Sequence, residues 1–200
     1  MRTGVPDVVT QPTLACLSDG AELLMRAAVD GDLRELQAMH ARCSGTTLAA
    51  RYLGDGRPPS RRLCRELLRT DVAIAAFSPT GSLIALGNLA GSDEDPQVAE
   101  VAVVVEDAWQ RGGLGTVMLR HLVAAARLLG YEEVVAIAPT RGSWTEASLA
   151  RLGAPLLQHT PFGEAVVRLS LAPHHAGLLA RPAPASRRVV VTRAGVASGR

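Results

Sequence analysis

The sequence predicts an α+β fold with a central, mostly antiparallel sheet and helices on both faces. Three strand-like segments separated by short turns lie within residues 72–105, which is typical of an antiparallel meander. A glycine-rich turn then opens a long amphipathic helix at 113–129, and another apolar segment follows at 132–138. A helix that crosses between two strands predicts one parallel pair, so the expected sheet is mixed.

The first part of the chain predicts one strand followed by three helices. A strand is expected at 22–29, and helices at 32–43, 47–52 and 60–69. Short polar side chains that can cap a helix precede each helical segment: Asp32 for the first, Thr46 or Thr47 for the second and Ser60 for the third. His40 falls on the apolar face of the first helix, and we expect it to be a core histidine rather than a cleft residue.

The second part predicts the meander, the crossover and a closing hairpin. The expected strands are 72–77, 82–89, 98–105, 132–138, 156–159 and 165–171, with helices at 113–129 and 143–151. Gly130 follows the long helix at the position where glycine commonly ends one. This helix is apolar over most of its circumference, which indicates that it packs across the sheet.

Composition limits the class of protein. The chain has 200 residues, 48% of them hydrophobic but only 3% aromatic, which suits one domain with a core of Ala, Val and Leu. No apolar run is long enough to cross a bilayer, and we expect a cytoplasmic protein with no membrane partner. The three cysteines have no metal-binding spacing, so reduced thiols and no metal are expected.

Charge is unevenly distributed along the chain. The net charge is +2, which gives no reason to expect a nucleic-acid partner, yet residues 173–200 hold five arginines and no carboxylate. We therefore expect a mobile leader at 1–19, one domain at 20–172 and a basic flexible tail at 173–200. A nucleic-acid arm remains an alternative for the tail, and a homodimer is compatible with the sequence.

The segment from Gln110 to Thr116 carries the clearest chemical signal. It reads Gln-Arg-Gly-Gly-Leu-Gly-Thr and leads directly into the long helix. The first N–H groups of a helix have no partners within it, and the helix dipole adds positive charge there. Glycines at 113 and 115 are expected to let a ligand approach, so the turn predicts a site for phosphate.

In this context the segment resembles the GNAT family of N-acetyltransferases. Gln110, Gly113 and Gly115 match the family signature Gln/Arg-x-x-Gly-x-Gly/Ala, after a valine-rich strand and before a long helix. The resemblance extends over about 22–171. It implies the family's fold, with a strand that splays from its parallel neighbour, and an acetyl-CoA-dependent enzyme that acetylates a primary amine by direct transfer.

The resemblance also implies where acetyl-CoA would lie. The pyrophosphate would contact the turn, and the pantetheine arm would pair with the free edge of the preceding strand. The residues implied are Val103, Val105, Gln110, Arg111, Gly112, Gly113, Gly115 and Thr116. The backbone N–H of Val103 or a neighbour would stabilise the oxyanion that develops from the thioester.

Glu100 begins the strand that forms this site and is the expected general base. An amine must lose its proton before it attacks, and a carboxylate beside an apolar cleft can accept that proton. A solvated residue at the start of a strand is the alternative.

The family often has an Asn after the next strand and a Tyr in the following helix, but this chain has Pro139–Ser143 and Leu149–Ala150 there. Ser143 or Ser148 could take the place of the Tyr, and a CoA-binding regulatory protein without efficient chemistry is the alternative function.

The acceptor is not predicted by the sequence. Arg57, Arg61 and Arg62 lie in and after the 54–60 loop, which in this family borders the acceptor. They indicate either an acidic acceptor or a solvated surface.

Overall fold

The structure is a computed structural model that describes residues 11–18, 20–138, 144–153, 155–159 and 164–171. Its framework is a mixed eight-stranded sheet with strand order β1-β2-β3-β4-β5-β6-β8-β7. The strands are β1 Thr13–Cys16, β2 Glu22–Ala27, β3 Val72–Phe77, β4 Leu83–Gly91, β5 Val98–Val105, β6 Glu133–Ala138, β7 Leu156–His159 and β8 Ala165–Ser170. All neighbouring pairs are antiparallel except β5 and β6, which are parallel as predicted.

The described helices are α1 Leu33–Arg42, α2 Gly45–Tyr52, α3 Arg61–Leu67, α4 Leu114–Leu128 and α5 Trp144–Ala150. Ser60 caps α3 as predicted, because its hydroxyl accepts from the N–H of Leu63. The predicted cap of α2 is wrong: the cap is Ser44, whose hydroxyl accepts from the N–H of Thr47, so the helix starts two residues earlier than predicted. Single 3₁₀ turns at Asp30–Asp32 and Asp107–Trp109 precede α1 and α4.

Two apolar clusters lie on opposite faces of the sheet. Along β3, Ile74 packs with the cluster that contains α4, whereas Ala75 and Phe77 pack with the cluster that contains α1 and α3. This division follows from the alternation of side chains along a strand. The predicted α+β fold with helices on both faces is therefore confirmed.

The parallel pair is joined over only part of its length. The register between β5 and β6 runs from Val98–Glu133 to Glu100–Val135, although the strands continue to Val105 and Ala138. Beyond Glu100 the two strands diverge, so β5 has one edge that β6 does not cover. This divergence is the splay that the family resemblance implied.

Two expectations about the first residues are corrected. Residues 13–16 form β1 and pair with β2, so the prediction of a mobile leader over 1–19 is wrong at these positions. The strand predicted at 22–29 ends at Ala27, because the Asp32 carboxylate accepts from the N–H of Val29 and turns the backbone into α1. Residues 1–10 and the predicted tail from 173 lie outside the described residues.

Candidate functional site

The turn before α4 has an unusual backbone. Arg111 has φ +67°, a left-handed conformation that is costly for a residue with a side chain, and Gly113 has φ +94°. Gly113 is the N-cap of α4, and its carbonyl accepts the first intrahelical bond from Val117 N–H at 3.1 Å. The N–H groups of Leu114, Gly115 and Thr116 precede that bond, which leaves them for an anion.

Three of the predicted phosphate-site residues also make contacts within the protein. The carbonyl of Gly112 accepts from the N–H and the hydroxyl of Ser18 at 3.2 and 3.3 Å, which ties the turn to the segment after β1. A Cβ on Gly115 would lie 2.7 Å from the Trp144 indole, so Gly115 is required by its contact with α5 as well as by any ligand. The Thr116 hydroxyl lies 3.3 Å from the Ser148 hydroxyl, which leaves its backbone N–H for the turn.

The uncovered edge of β5 presents backbone groups of the two predicted valines. Glu106 N–H donates to Ile84 O on β4 at 2.9 Å. Because hydrogen bonding alternates along an antiparallel pair, the N–H and C=O groups of Val105 and Val103 point away from β4. They face the gap beside β6, where an extended ligand could add to the edge of the sheet.

Gln110 lies across this edge and contacts α2. Its side-chain amide donates to Val105 O and to the Thr47 hydroxyl, both at 2.9 Å. The Thr47 hydroxyl in turn donates to Asp107 at 2.9 Å, and Asp107 also accepts from the N–H and the hydroxyl of Ser44. The turn before α4 is thereby fastened to the first turn of α2.

Glu100 is the last residue of β5 that pairs with β6, so it lies where the two strands begin to diverge. Its side chain is half-buried and shares a face with Val104, which packs in the α1–α3 cluster. Burial raises the pKa of the Glu100 carboxyl, and the positive charge of Arg51 opposes that rise. A carboxylate with a raised pKa is suited to accept a proton.

The groups considered for protonating a leaving thiolate are not presented to the gap. Ser148 is buried between α4 and α5, and Leu149 is fully buried in the α4 cluster. Ser143 lies outside the described residues. The two positions around which the resemblance expected a Tyr, Leu149 and Ala150, carry no hydroxyl.

His40 is a core residue, as predicted. It is buried, with Nδ1 2.8 Å from Leu36 O and Nε2 2.6 Å from the Tyr52 hydroxyl. A carbonyl only accepts, so Nδ1 carries the proton and Tyr52 donates to Nε2. Burial lowers the pKa of His40 to about 4, with a further lowering from the charge of Arg51.

Arg51 was not identified from the sequence, although its charge acts on Glu100. It occupies the last turn of α2, which packs on β5, and no motif distinguishes it from the other arginines of the chain. The three arginines in and after the 54–60 loop are engaged elsewhere: Arg57 pairs with Asp55, Arg62 pairs with Glu66, and Arg61 donates to the Gln37 side chain at 3.3 Å.

Within the described residues, no group of three or more His, Cys, Asp and Glu side chains is placed to hold a metal ion. No helix in the described part of the chain is long and apolar enough to cross a membrane.

The splayed parallel strands, the turn with positive φ angles and the long helix are the features that the resemblance to GNAT acetyltransferases implied. The chain matches the family model described as the acetyltransferase (GNAT) family over residues 34–150. An acetyltransferase of Pseudomonas aeruginosa is 28% identical over 128 residues, which span 60% of this chain and 68% of that protein. The chain belongs to the GNAT acetyltransferase family, and the expectation that it is an enzyme of this class is confirmed.

Solved structures share the fold. The GNAT domain of S. lividans PAT superposes with a TM-score of 0.72 at 21% identity, covering 83% of this chain and 99% of that one. A GNAT superfamily phosphinothricin acetyltransferase from Sinorhizobium meliloti, solved in complex with AcCoA, gives a TM-score of 0.62 at 18% identity, with coverage of 78% and 92%. A putative acetyltransferase from Salmonella typhimurium, solved with acetyl-CoA, gives 0.59 at 19% identity, with coverage of 77% and 96%.

Proposed function

We propose that this protein transfers the acetyl group of acetyl-CoA directly to a primary amine, with Glu100 as the general base. The observation that carries the proposal is the position of Glu100 at the point where β5 and β6 diverge. The uncovered edge of β5 leads from that point toward the turn before α4. One continuous path thus joins a proton acceptor, a hydrogen-bonding edge and a site for phosphate.

Acetyl-CoA is assigned to this path by its chemistry. The pyrophosphate would accept from the N–H groups at the start of α4, where the helix dipole favours negative charge. The amides of the pantetheine arm would pair with the backbone of Val103 and Val105, in the manner of an added strand. Acetyl-CoA complexes of the two solved relatives above support this choice of co-substrate.

The chemical step follows from the position of Glu100. A free alkylamine near pH 7 is almost fully protonated, with a pKa of about 10.4 for a lysine side chain. Glu100 takes this proton, directly or through one water, and the neutral nitrogen attacks the thioester carbonyl. The C–N bond forms, the C–S bond breaks, and the CoA thiolate leaves with the electron pair.

The leaving thiolate needs no acid from α5 in this proposal. A thiol has a pKa of about 8.5 and is therefore a fair leaving group near neutral pH. Solvent can protonate it after the C–S bond has broken. The burial of Ser148 and Leu149 is consistent with a reaction in which α5 supplies no proton.

A regulatory protein that binds CoA without efficient chemistry is the second candidate, favoured by the absence of the family's Asn and Tyr from Pro139–Ser143 and Leu149–Ala150. Acetyl-CoA turnover over a panel of primary amines separates the two, with thiol release as the readout and calorimetry as an independent measure of CoA binding. Thiol release that depends on both the amine and Glu100 supports the enzyme. Tight CoA binding without thiol release from any amine would establish the regulatory protein instead.

A further inference from the structure

Arg51 is a partly buried arginine without a carboxylate partner among the described residues. The other half-buried arginines of the described residues, Arg26 and Arg168, each form an ion pair, with Asp32 and Glu133 respectively. Arg51 instead donates from Nη2 to the neutral side chain of Asn88 at 3.2 Å. A guanidinium remains charged at all ordinary pH values, so this cation is held in the fold with only partial compensation.

One donor of Arg51 is also unused. Its Nε is buried and has no hydrogen-bond partner in the described part of the chain. Among the described residues, it is the only buried side-chain nitrogen or oxygen without one. Leaving a buried donor unsatisfied is costly, and such a group in a native fold requires an explanation.

The position of Arg51 is fixed by its neighbours. The Asn88 amide donates to Leu67 O at 2.7 Å and to the Thr70 hydroxyl at 3.1 Å, so its oxygen must face Arg51. The guanidinium carbon lies 4.9 Å from the centre of the Tyr52 ring. A guanidinium held between an amide and an aromatic ring is already ordered before any ligand arrives, which lowers the entropic cost of binding.

Arg51 and Glu100 also lie on one face of the sheet. Asn88 is paired with Ala102 on β5, two residues from Glu100, and side chains two apart share a face. Glu100 is close enough for its ionisation to respond to the charge of Arg51, yet no ion pair joins them in the described structure. The face thus presents both a carboxylate and a guanidinium.

We infer that Arg51 binds the carboxylate of the acceptor, so that the acceptor is a small zwitterionic amine such as a free amino acid. This inference rests on the proposed function: Glu100 receives the ammonium end and Arg51 the carboxylate end. The planar guanidinium matches a carboxylate with two parallel N–H···O bonds, and its bond to Asn88 uses only one of its five N–H donors. The acid-binding group is then Arg51 rather than the arginines of the 54–60 loop.

The test compares matched acceptors at saturating acetyl-CoA, with thiol release as the readout. A set of free amino acids is assayed beside the corresponding amino-acid amides and the decarboxylated amines, each at a pH that gives equal fractions of neutral amine. We expect kcat/KM for the best amino acid to exceed that of its amide about 10- to 100-fold, the range of a charged hydrogen-bonded contact. An equal kcat/KM for the amino acid and its amide overturns the inference, as does a higher kcat/KM for a lysine side chain in a peptide. Both results come from the wild-type protein alone.

Two variants sharpen the test. Arg51→Gln should abolish the preference for the acid over the amide while leaving the KM for acetyl-CoA unchanged, and Arg51→Lys should retain part of it. The matched control is Arg57→Gln, because the Arg57 side chain is 85% exposed and pairs with Asp55. Retention of the full preference in folded Arg51→Gln overturns the inference. Absence of thiol release from every amine overturns the proposed function and this inference together, whereas thiol release without a carboxylate preference overturns only the inference.

Discussion

The side-chain amide of Gln110 donates a 2.9 Å hydrogen bond to the carbonyl of Val105, on the edge of β5 that β6 leaves uncovered. The same carbonyl is the acceptor that a pantetheine amide would use if it adds to this edge. Gln110 therefore occupies, in the free protein, part of the proposed binding path. It also contacts Thr47, so its displacement would loosen the connection between the turn before α4 and helix α2.

Replacing Gln110 with alanine should strengthen acetyl-CoA binding. The internal hydrogen bond that the ligand must displace contributes about 0.5–1.5 kcal/mol, so we expect Kd to fall about three- to tenfold. Calorimetry with acetyl-CoA measures the change directly.

Thr47→Val is the matched control for that experiment. It removes the contact between Thr47 and Gln110 but leaves the bond from Gln110 to Val105, so Kd should change little. A Gln110→Ala protein that binds acetyl-CoA more weakly would mean that the side chain contacts the ligand rather than competing with it.

Glu100→Gln should reduce turnover and preserve acetyl-CoA binding. A general base contributes about 10²- to 10⁴-fold to a rate, and the amide cannot accept the proton. Steady-state thiol release and calorimetry measure the two quantities separately. Glu66→Gln is the control, because Glu66 is an exposed partner of Arg62 on α3.

The pH dependence of the wild-type enzyme should reflect the same carboxylate. Burial raises the pKa of Glu100, and only the ionised form accepts a proton. Activity should therefore fall as the pH decreases through that raised pKa, and the acidic limb of kcat/KM should lie above the range of an exposed glutamate. An acidic limb that is unchanged in Glu100→Gln would exclude Glu100 from proton transfer.

Gly113→Val should weaken acetyl-CoA binding beyond its effect on stability. Gly113 has φ +94° at the start of α4, and a left-handed backbone costs a branched residue about 1–2 kcal/mol. Relief of that strain would move the N–H groups that the phosphates require, so we expect at least a tenfold rise in Kd by calorimetry, about 1.4 kcal/mol.

Gly130→Val is a close control for the same backbone strain. Gly130 has φ +80° beyond the other end of α4, and a Cβ at either glycine would meet no atom within 4 Å. The melting temperatures of both variants should fall by similar amounts, but only Gly113→Val should bind acetyl-CoA more weakly. Equal affinities of the two variants would place the phosphates elsewhere.

The buried, neutral His40 should make the stability of the protein fall in mild acid. Burial lowers its pKa in the folded protein to about 4, below the value of about 6.5 expected for the unfolded chain. The unfolded state therefore binds the proton first, and the free energy of unfolding falls as the pH decreases from about 6.5 to about 4, by about 3 kcal/mol in full. Urea unfolding at several pH values measures this slope. His40→Gln should flatten it, and an unchanged slope would assign the loss to other groups.

The fold could be predicted largely from local signals in the sequence. Short apolar segments bounded by turns located β3 to β6, and the glycine turn with a long apolar face located α4, because both depend on near neighbours in the chain. The capping of α2 was mispredicted because Ser44 is held by Asp107, a residue far away in sequence. Strand β1 was missed because a short segment beside a proline shows little periodicity, and its pairing with β2 defines it.

The sequence by itself determined the family resemblance, the turn from Gln110 to Thr116 and the choice of Glu100 as the base, since each is carried by residues adjacent to one another. Only the tertiary structure decided that Arg51 lies on the same face of the sheet as Glu100, that Gln110 covers the Val105 carbonyl and that β5 and β6 part at Glu100. These relationships join residues distant in the chain, and packing across the sheet brings them together. Neither side-chain periodicity nor backbone preference encodes such contacts, so the acceptor subsite at Arg51 became visible only in the folded protein.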